Sequence, residues 1–431
     1  MPTSILATIA LLFILLGTGA WIGLSLMGVG IASLSIFRSM PVDKLLAQSV
    51  WNSLTSMELV ALPLFILMAE LLYRSKITRN LFAALEPWVR GLPGGLLHTN
   101  VLGCTVFALI SGSSAATTSA VGRITLAELA RRGYDRSVAM GSLAGAGTLG
   151  FLIPPSVILI IYGVLSETSV LKLFAAGLLP GLLLAAAFMA YLGIRSMFLP
   201  RVEEAKHADD GSPWRRRLRS LPTLLPFFLL MFVILGSMYL GWASPSEAAA
   251  VGVGATCVLM LAERSLGWSV LREACMGCAR TVSMLGLIIG AAGFLAVAMN
   301  FLGLPQAVAT QVRAMALGPL ELVALLLLVY LVLGMFLEGM SMLVMTLPIV
   351  LPLVTAAGYD KVWFGVFLVL VIELAQITPP VGMNLFVIQG LTREKISSIA
   401  IAALPFFLIM VAFVGVIALF PGVVGWLPAQ L

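Results

Sequence analysis

Charge is what this sequence has least of. Only 10% of its 431 residues are Asp, Glu, Lys or Arg, against about 25% in soluble domains. A water-facing globular surface is therefore excluded. Nucleic-acid binding is also excluded as the meaning of the +6 net charge and the pI near 9.3. Histidine is scarcer still: His98 and His207 are far apart in the chain, which argues against a His-rich zinc site. The four cysteines give one CMGC spacing, Cys275 with Cys278, and no second pair; Cys104 and Cys257 sit alone in apolar stretches. All four read as small packing residues rather than a metal or redox centre. With no nucleophile–base or metal constellation, a membrane enzyme is a remote reading, and no cofactor is expected. Nor is a cleavable signal evident. The opening apolar stretch, Ser4 to Phe37, is longer than a signal core, and no cleavage pattern follows it.

What the chain has instead is apolar length. Hydrophobic residues make up 61% of it, enough for about ten to twelve spans at about 20 residues each. The expected fold class is an all-α polytopic membrane protein. Its excess cations read as topology signals and contacts to membrane lipids.

Two proline pairs interrupt this apolar pattern, in GFLIPPS at 150–156 and QITPPVGMN at 376–384. Each follows a small-residue or polar stretch, SGSSAATTS in the first half and FLEGMSM in the second. Gly112 lies 42 residues before Pro154, and Glu338 lies 41 before Pro379. A proline breaks a helix, and in lipid a break survives only where it lines a cavity or is buried in protein. Breaks at matching places in two halves mark the ion and substrate site of a transporter.

The elements on either side match in order at an offset of about 226 residues. Residues 1–199 form a first repeat, with a hairpin at about 95–132 and a broken helix at about 138–165. Residues 200–220 form a polar linker. Residues 221–431 form a second repeat, with a hairpin at about 319–357 and a broken helix at about 361–391. Within the first repeat, Trp51 to Tyr73 reads as one span. If both hairpins are re-entrant, each half crosses five times, and the odd number inverts the second half. The Lys/Arg distribution tests this. With the linker inside, 19 basic residues fall on cytoplasmic segments and five on outer ones (Arg38, Lys44, Lys172, Arg313, Lys361), Arg123 lying within the first hairpin. The linker is then cytoplasmic, both termini are periplasmic, and the first hairpin enters from inside, the second from outside.

Chemistry follows from the breaks. Pro154 and Pro155 have no N–H, so the carbonyls of Gly150 and Phe151 lose their helical donors; Pro379 and Pro380 do the same to Ala375 and Gln376. Ile153 and Thr378 precede the pairs and are pushed out of helical geometry. Carbonyl and hydroxyl oxygens suit a hard cation such as Na+, and Ser111, Gly112, Ser113, Ser114, Thr117 and Thr118 at the facing tip can complete its shell. Half-helices starting near Ser156 and Gly382 point positive dipole ends inward, which favours an anion. Acids inside apolar segments are functional candidates: Glu58, Glu70, Glu338 and Glu373, with Glu247 at a helix start. Glu338 and Glu373 bind the coupling ion, carry a proton, or fix the break geometry. Asn384 is a ligand donor or a cap. Arg123 pairs with an anionic substrate or snorkels to the cytoplasm.

SGSSAATTSAVGRI, GYD at 133–135, GFLIPPSVILIIYG, SPSEAAA, GMFLEGM and ELAQITPPVGMNLFV, in this order, resemble the large membrane subunit of TRAP (tripartite ATP-independent periplasmic) transporters, the DctM-type family. The resemblance covers nearly the whole chain. It implies an ion-transporter-superfamily fold, an inverted repeat with an elevator-type transport domain on a fixed scaffold. It implies Na+-coupled import of a small organic acid across a bacterial or archaeal inner membrane. Two further chains are implied, a small membrane subunit and a periplasmic substrate-binding protein. Matched residue by residue, one Na+ site falls on Ser111, Ser114, Gly150, Ile153 and Pro154, the other on Gly334, Ala375, Thr378 and Val381. Glu338 stands where members often have Asp, and Ala375 where many have Gly; backbone ligation survives both. A substrate would lie between tips and breaks, near Ser113, Thr117, Arg123, Ser156, Gly382 and Asn384, with Glu338, Glu373, Pro155, Pro379 and Pro380 as structural or coupling residues. The rivals are a standalone carboxylate carrier of the same superfamily and a channel.

Overall fold

Apolar runs this long have no route to satisfy their backbone in lipid other than helix, and short polar residues set where each helix begins. The computed structural model describes residues 3–38, 40–198, 213–304, 306, 307, 310 and 318–431. The described residues are helical throughout, with no strand. Side chains of Asp135, Ser156, Ser169 and Asp360 accept from backbone N–H groups in the first turn of the helix that each precedes. Ser244 and Glu247 form a reciprocal capping box, so Glu247 serves the helix start.

The first half comprises α1 (Thr3–Gly17), α2 (Ile22–Phe37), α3 (Val42–Leu54), α4 (Ala61–Arg74), α5 (Lys76–Val89), α6 (His98–Ser111), α7 (Ser114–Arg131), α8 (Arg136–Gly147), α9 (Leu149–Leu152), α10 (Val157–Ser166) and α11 (Val170–Ser196). The second comprises α12 (Pro213–Tyr239), α13 (Pro245–Ala262), α14 (Trp268–Phe301), α15 (Pro319–Gly334), α16 (Gly339–Ala356), α17 (Lys361–Gln376), α18 (Met383–Thr392) and α19 (Ile396–Leu419). Among the described residues, seven helical segments are long and apolar enough to cross a membrane, α8–α10 counting as one, and an eighth when the segment 42–74 is counted as one span.

Segment 42–74 departs from the sequence expectation. The span expected at Trp51 to Tyr73 begins earlier, at Val42, and bends by 55° between Leu54 and Met57. Ser56 is extended there, and the Thr55 hydroxyl turns back to the Trp51 carbonyl. Polar side chains that bond the local backbone compete with the helix at that point. The basic segment before Pro222 is helical from Pro213 onwards. The linker up to residue 212 and most of the short segment expected at 305–316 lie outside the described residues.

Two packing groups emerge. α1–α4 and α12–α14 pack on one another; α6–α11 and α15–α19 pack on one another. α5 lies between them: the Trp88 indole donates to Ser220 on α12 at 3.0 Å, while Glu86 takes Arg132, just past α7, at 2.9 Å. Within the second group the halves interleave. The α7 arm packs on α18, beyond the second break, and the α16 arm packs on α10, beyond the first.

Small residues set the close crossings. At Gly141 on α8, an added Cβ would run into the carbonyl of Ala402 on α19. Gly141→Leu is expected to cost about 1–3 kcal/mol and to lower the melting temperature of the purified protein. Gly193→Ala, whose nearest neighbour is 3.9 Å away, should leave it unchanged.

Candidate functional site

The first hairpin turns at Gly112, which adopts φ +54° and leaves no room for a side chain: a Cβ there would sit 2.7 Å from the Pro155 carbonyl oxygen. The Val157 N–H donates to the Gly112 carbonyl at 3.4 Å, tying tip to break. At Gly150 an added Cβ would meet the Ser113 carbonyl oxygen at 2.6 Å and the Ser114 Cα at 2.8 Å. Tip and first break are thus in backbone contact, and residues 150–156 are all buried.

Within the tip, the Ser111 and Thr117 hydroxyls bond each other at 2.6 Å, and Ser111 also donates to the Ser113 carbonyl at 3.2 Å. Ser113 caps α7. Ser156 is buried and caps α10 through the Leu159 N–H at 3.3 Å, so that half-helix start is partnered by its own side chain.

The second site is built differently. Gly334 packs directly on Ala375. The Ala375 carbonyl accepts from the Thr378 N–H at 3.1 Å in a tightened turn. It is therefore not left free, as losing its helical donor to Pro379 had suggested, because the chain recruits a nearer donor. The Thr378 hydroxyl turns back to the Leu374 carbonyl at 2.7 Å. Pro379 and Pro380 are exposed and Val381 half-buried, in contrast to Ile153, Pro154 and Pro155. Gly382 begins α18 at φ +36°.

Glu338 caps α16, accepting from the N–H groups of Met340 at 3.1 Å and Ser341 at 3.3 Å. Glu373 does something that its place beside the second break did not suggest. Fully buried on α17, it reaches into the first half, where its Oε1 accepts from the Ser114 hydroxyl and, at 3.0 Å, from the Phe151 N–H. The acid of the second broken helix thus belongs to the first break. Asn384, also fully buried, lies against Gly147 on α8.

A cavity of about 470 Å³ opens between the tips. Ser111, Ser113 and Phe151 line it from the first tip and break, Glu338 and Met340 from the second tip, and Glu70, Arg74, Thr281 and Leu285 from α4 and α14. Arg74 is the one cationic side chain among these lining residues. It pairs with Glu70 one turn before it and approaches Glu273 at 3.8 Å. Sequence reasoning missed Arg74, which sits at the end of an apolar run and reads as an interfacial anchor. Arg123 is elsewhere, in a separate cavity of about 320 Å³ with Arg136 and Glu394. Glu58 lines a third cavity of about 960 Å³, with Gln48, Asn52 and Asn300.

The arrangement presents buried oxygens and the Glu373 carboxylate at the first break, beside a cavity lined by Glu70, Arg74 and Glu338 and large enough for a small metabolite. Among the described residues, no group of three or more His, Cys, Asp or Glu side chains forms a metal cluster. Comparison with known proteins agrees with this character. Residues 9–423 match the family described as "Tripartite ATP-independent periplasmic transporter, DctM component". The chain is 34% identical to the C4-dicarboxylate TRAP transporter large permease protein DctM of Pseudomonas aeruginosa, with 86% of each chain covered. To its counterpart in Vibrio cholerae it is 30% identical, with 98% of each covered. Its fold is similar to that of the YdaH transporter of Alcanivorax borkumensis, with a TM-score of 0.68 at 12% identity over 95% of this chain and 98% of that one.

Proposed function

This chain belongs to the DctM component family of tripartite ATP-independent periplasmic transporters and is a multi-pass large permease subunit rather than an enzyme; from that premise we propose that it imports a small organic acid together with Na+ across an inner membrane. The observation that carries the coupling is the convergence of Ser114, Gly150 and the Phe151 N–H with the carboxylate of Glu373 in a buried, oxygen-rich junction. Hard monovalent cations favour such oxygens, and a buried acid without a basic partner calls for a cation. The first Na+ site is assigned to Ser111, Ser114, Gly150, Ile153 and Pro154, and the second to Gly334, Ala375, Thr378 and Val381. The donors of the first site fit: Gly150 has no amide donor from Pro154, and the Ser111 and Ser114 hydroxyls stand at the facing tip.

The substrate is held in the cavity between the tips, where Ser111, Ser113 and Arg74 offer donors to a carboxylate. C4-dicarboxylates are the class to try first, since both relatives above carry that substrate in their names. The two halves are read as an inverted repeat. α6–α11 with α15–α19 form the moving domain of an elevator, and α1–α4 with α12–α14 its scaffold, with α5 as a connecting arm. Cation binding at the tips orders them and completes the substrate site, and the difference in affinity between loaded and empty states supplies coupling. The linker faces the cytoplasm and both termini the periplasm. A small membrane subunit and a periplasmic binding protein act with it as separate chains.

Partner dependence is tested in cells lacking their own dicarboxylate uptake. Labelled succinate uptake is expected only when this chain is expressed with its small subunit and binding protein. Uptake by this chain alone would instead identify a standalone carrier.

A further inference from the structure

Resting on the reading just given, we infer that Glu373 is the anionic ligand of the first cation site, so that this site is built from both halves of the chain and carries a charge that the second lacks. Four observations converge. Glu373 is 0% exposed and lies at membrane depth on α17, yet no ion pair reaches it among the described residues. Its Oε1 accepts from two donors, the Ser114 hydroxyl and the Phe151 N–H, while Oε2 is buried with no hydrogen-bond partner. The hydroxyl of Ser114, by donating its proton to Glu373, turns its lone pairs away from the acid and leaves them free to ligate.

The third observation is that the unpartnered groups continue along one seam. Thr118 lies one helical turn beyond Ser114 on α7, and Gly147 one turn before Phe151, so each pair shares a face. Thr118 packs on Gly147, and the Asn384 amide lies 3.4 Å from where a Gly147 side chain would begin. Thr118 and Asn384 are 0% exposed, and Thr118 Oγ1, Asn384 Oδ1 and Asn384 Nδ2 have no partner. Buried polar groups are rarely left so. Here they line one interface between the first hairpin and both arms of the second broken helix.

The fourth is asymmetry between the halves. Aligned on the two proline pairs, the counterpart of Glu373 is Thr148, a neutral residue whose hydroxyl donates to the Gly145 carbonyl at 2.6 Å. None of Gly334, Ala375, Thr378 and Val381 is acidic. One carboxylate therefore serves one of the two sites, and the occupant that matches a lone carboxylate with neutral oxygens is a monovalent cation.

The test is thermal unfolding of the full-length protein in lipid nanodiscs, titrated with NaCl against choline chloride at constant ionic strength. Wild type should be stabilised by Na+. Glu373→Gln keeps the shape and the acceptor for Ser114 and Phe151, so its melting temperature in choline should equal or exceed that of wild type, while half-saturating Na+ rises at least about tenfold. Glu373→Asp should retain the Na+ response. Thr118→Val, which removes an unpartnered hydroxyl, should weaken Na+ binding several-fold without loss of stability in choline. A Glu373→Gln protein that titrates like wild type, or that is destabilised equally in Na+ and choline, would overturn the assignment. If Ser114→Ala and Thr378→Val then still weakened the Na+ response, the two-site reading would stand without Glu373. A wild type indifferent to Na+ would overturn both.

Discussion

Gly150→Ala is expected to lower Na+-driven uptake at least about 100-fold while leaving a folded protein. The new methyl would sit 2.6 Å from the Ser113 carbonyl oxygen and 2.8 Å from the Ser114 Cα. Both neighbours are backbone, so no side chain can swing aside; either the hairpin tip or the break must shift. Overpacking of this kind costs about 1–3 kcal/mol in stability, which a protein of this size tolerates. Function is more sensitive, because Ser114 and Gly150 are assigned to the same cation, and a shift of one ångström spoils a shell of fixed oxygens. The checks are uptake in proteoliposomes and the melting temperature measured on the same preparation. Gly193→Ala is the control. Full uptake with Gly150→Ala would separate this glycine from the transport site.

The second large effect is expected at Arg74. On the proposed function its guanidinium faces a carboxylate substrate across the cavity, restrained by Glu70 and Glu273. Arg74→Gln removes that attraction and leaves Glu70 uncompensated near Glu338, both of which line the same cavity. The half-saturating concentration for substrate should rise at least about 30-fold, about 2 kcal/mol by the usual logarithmic relation. Replacing Glu70 by Gln in the same protein removes the stranded acid and should recover part of the loss. That non-additivity is the signature of residues sharing one site. If the double variant were no better than Arg74→Gln alone, Arg74 would act on the substrate without a repulsive contribution from Glu70. If Arg74→Gln left the half-saturating concentration unchanged, the substrate would not be read by this residue.

The all-helical, many-span class was legible because composition alone forbids a soluble surface. Helix ends were legible where a local residue causes them. Helix α6 stops at Gly112 because only glycine turns so tightly against Pro155, and α9 stops before Pro154 because proline cannot continue it. Other features depended on distant residues. Nothing near Glu373 in sequence says that its side chain crosses to Ser114, 259 residues earlier; that contact follows from the interleaving of the halves. Arg74 became a cavity residue only when α4 was packed beside both tips. The Ala375 carbonyl looked free because sequence reasoning removed its helical donor without supplying the Thr378 N–H that replaces it. The bend between Leu54 and Met57 was hidden because the apolar run from Met57 to Tyr73 reads as a span with Trp51 at its edge, while Asp43, Lys44 and Gln48 keep the helix before it from reading as part of the membrane segment.

The most direct test of the account is Na+-driven uptake in a purified system. The chain and its small subunit are placed in liposomes, and the binding protein is added outside, loaded with labelled C4-dicarboxylate. An inward Na+ gradient is then compared with an equal K+ gradient. The account predicts concentrative uptake with Na+ alone, requiring the binding protein and collapsing when the gradient is dissipated. Equal uptake under Na+ and K+, with all components folded, would contradict it.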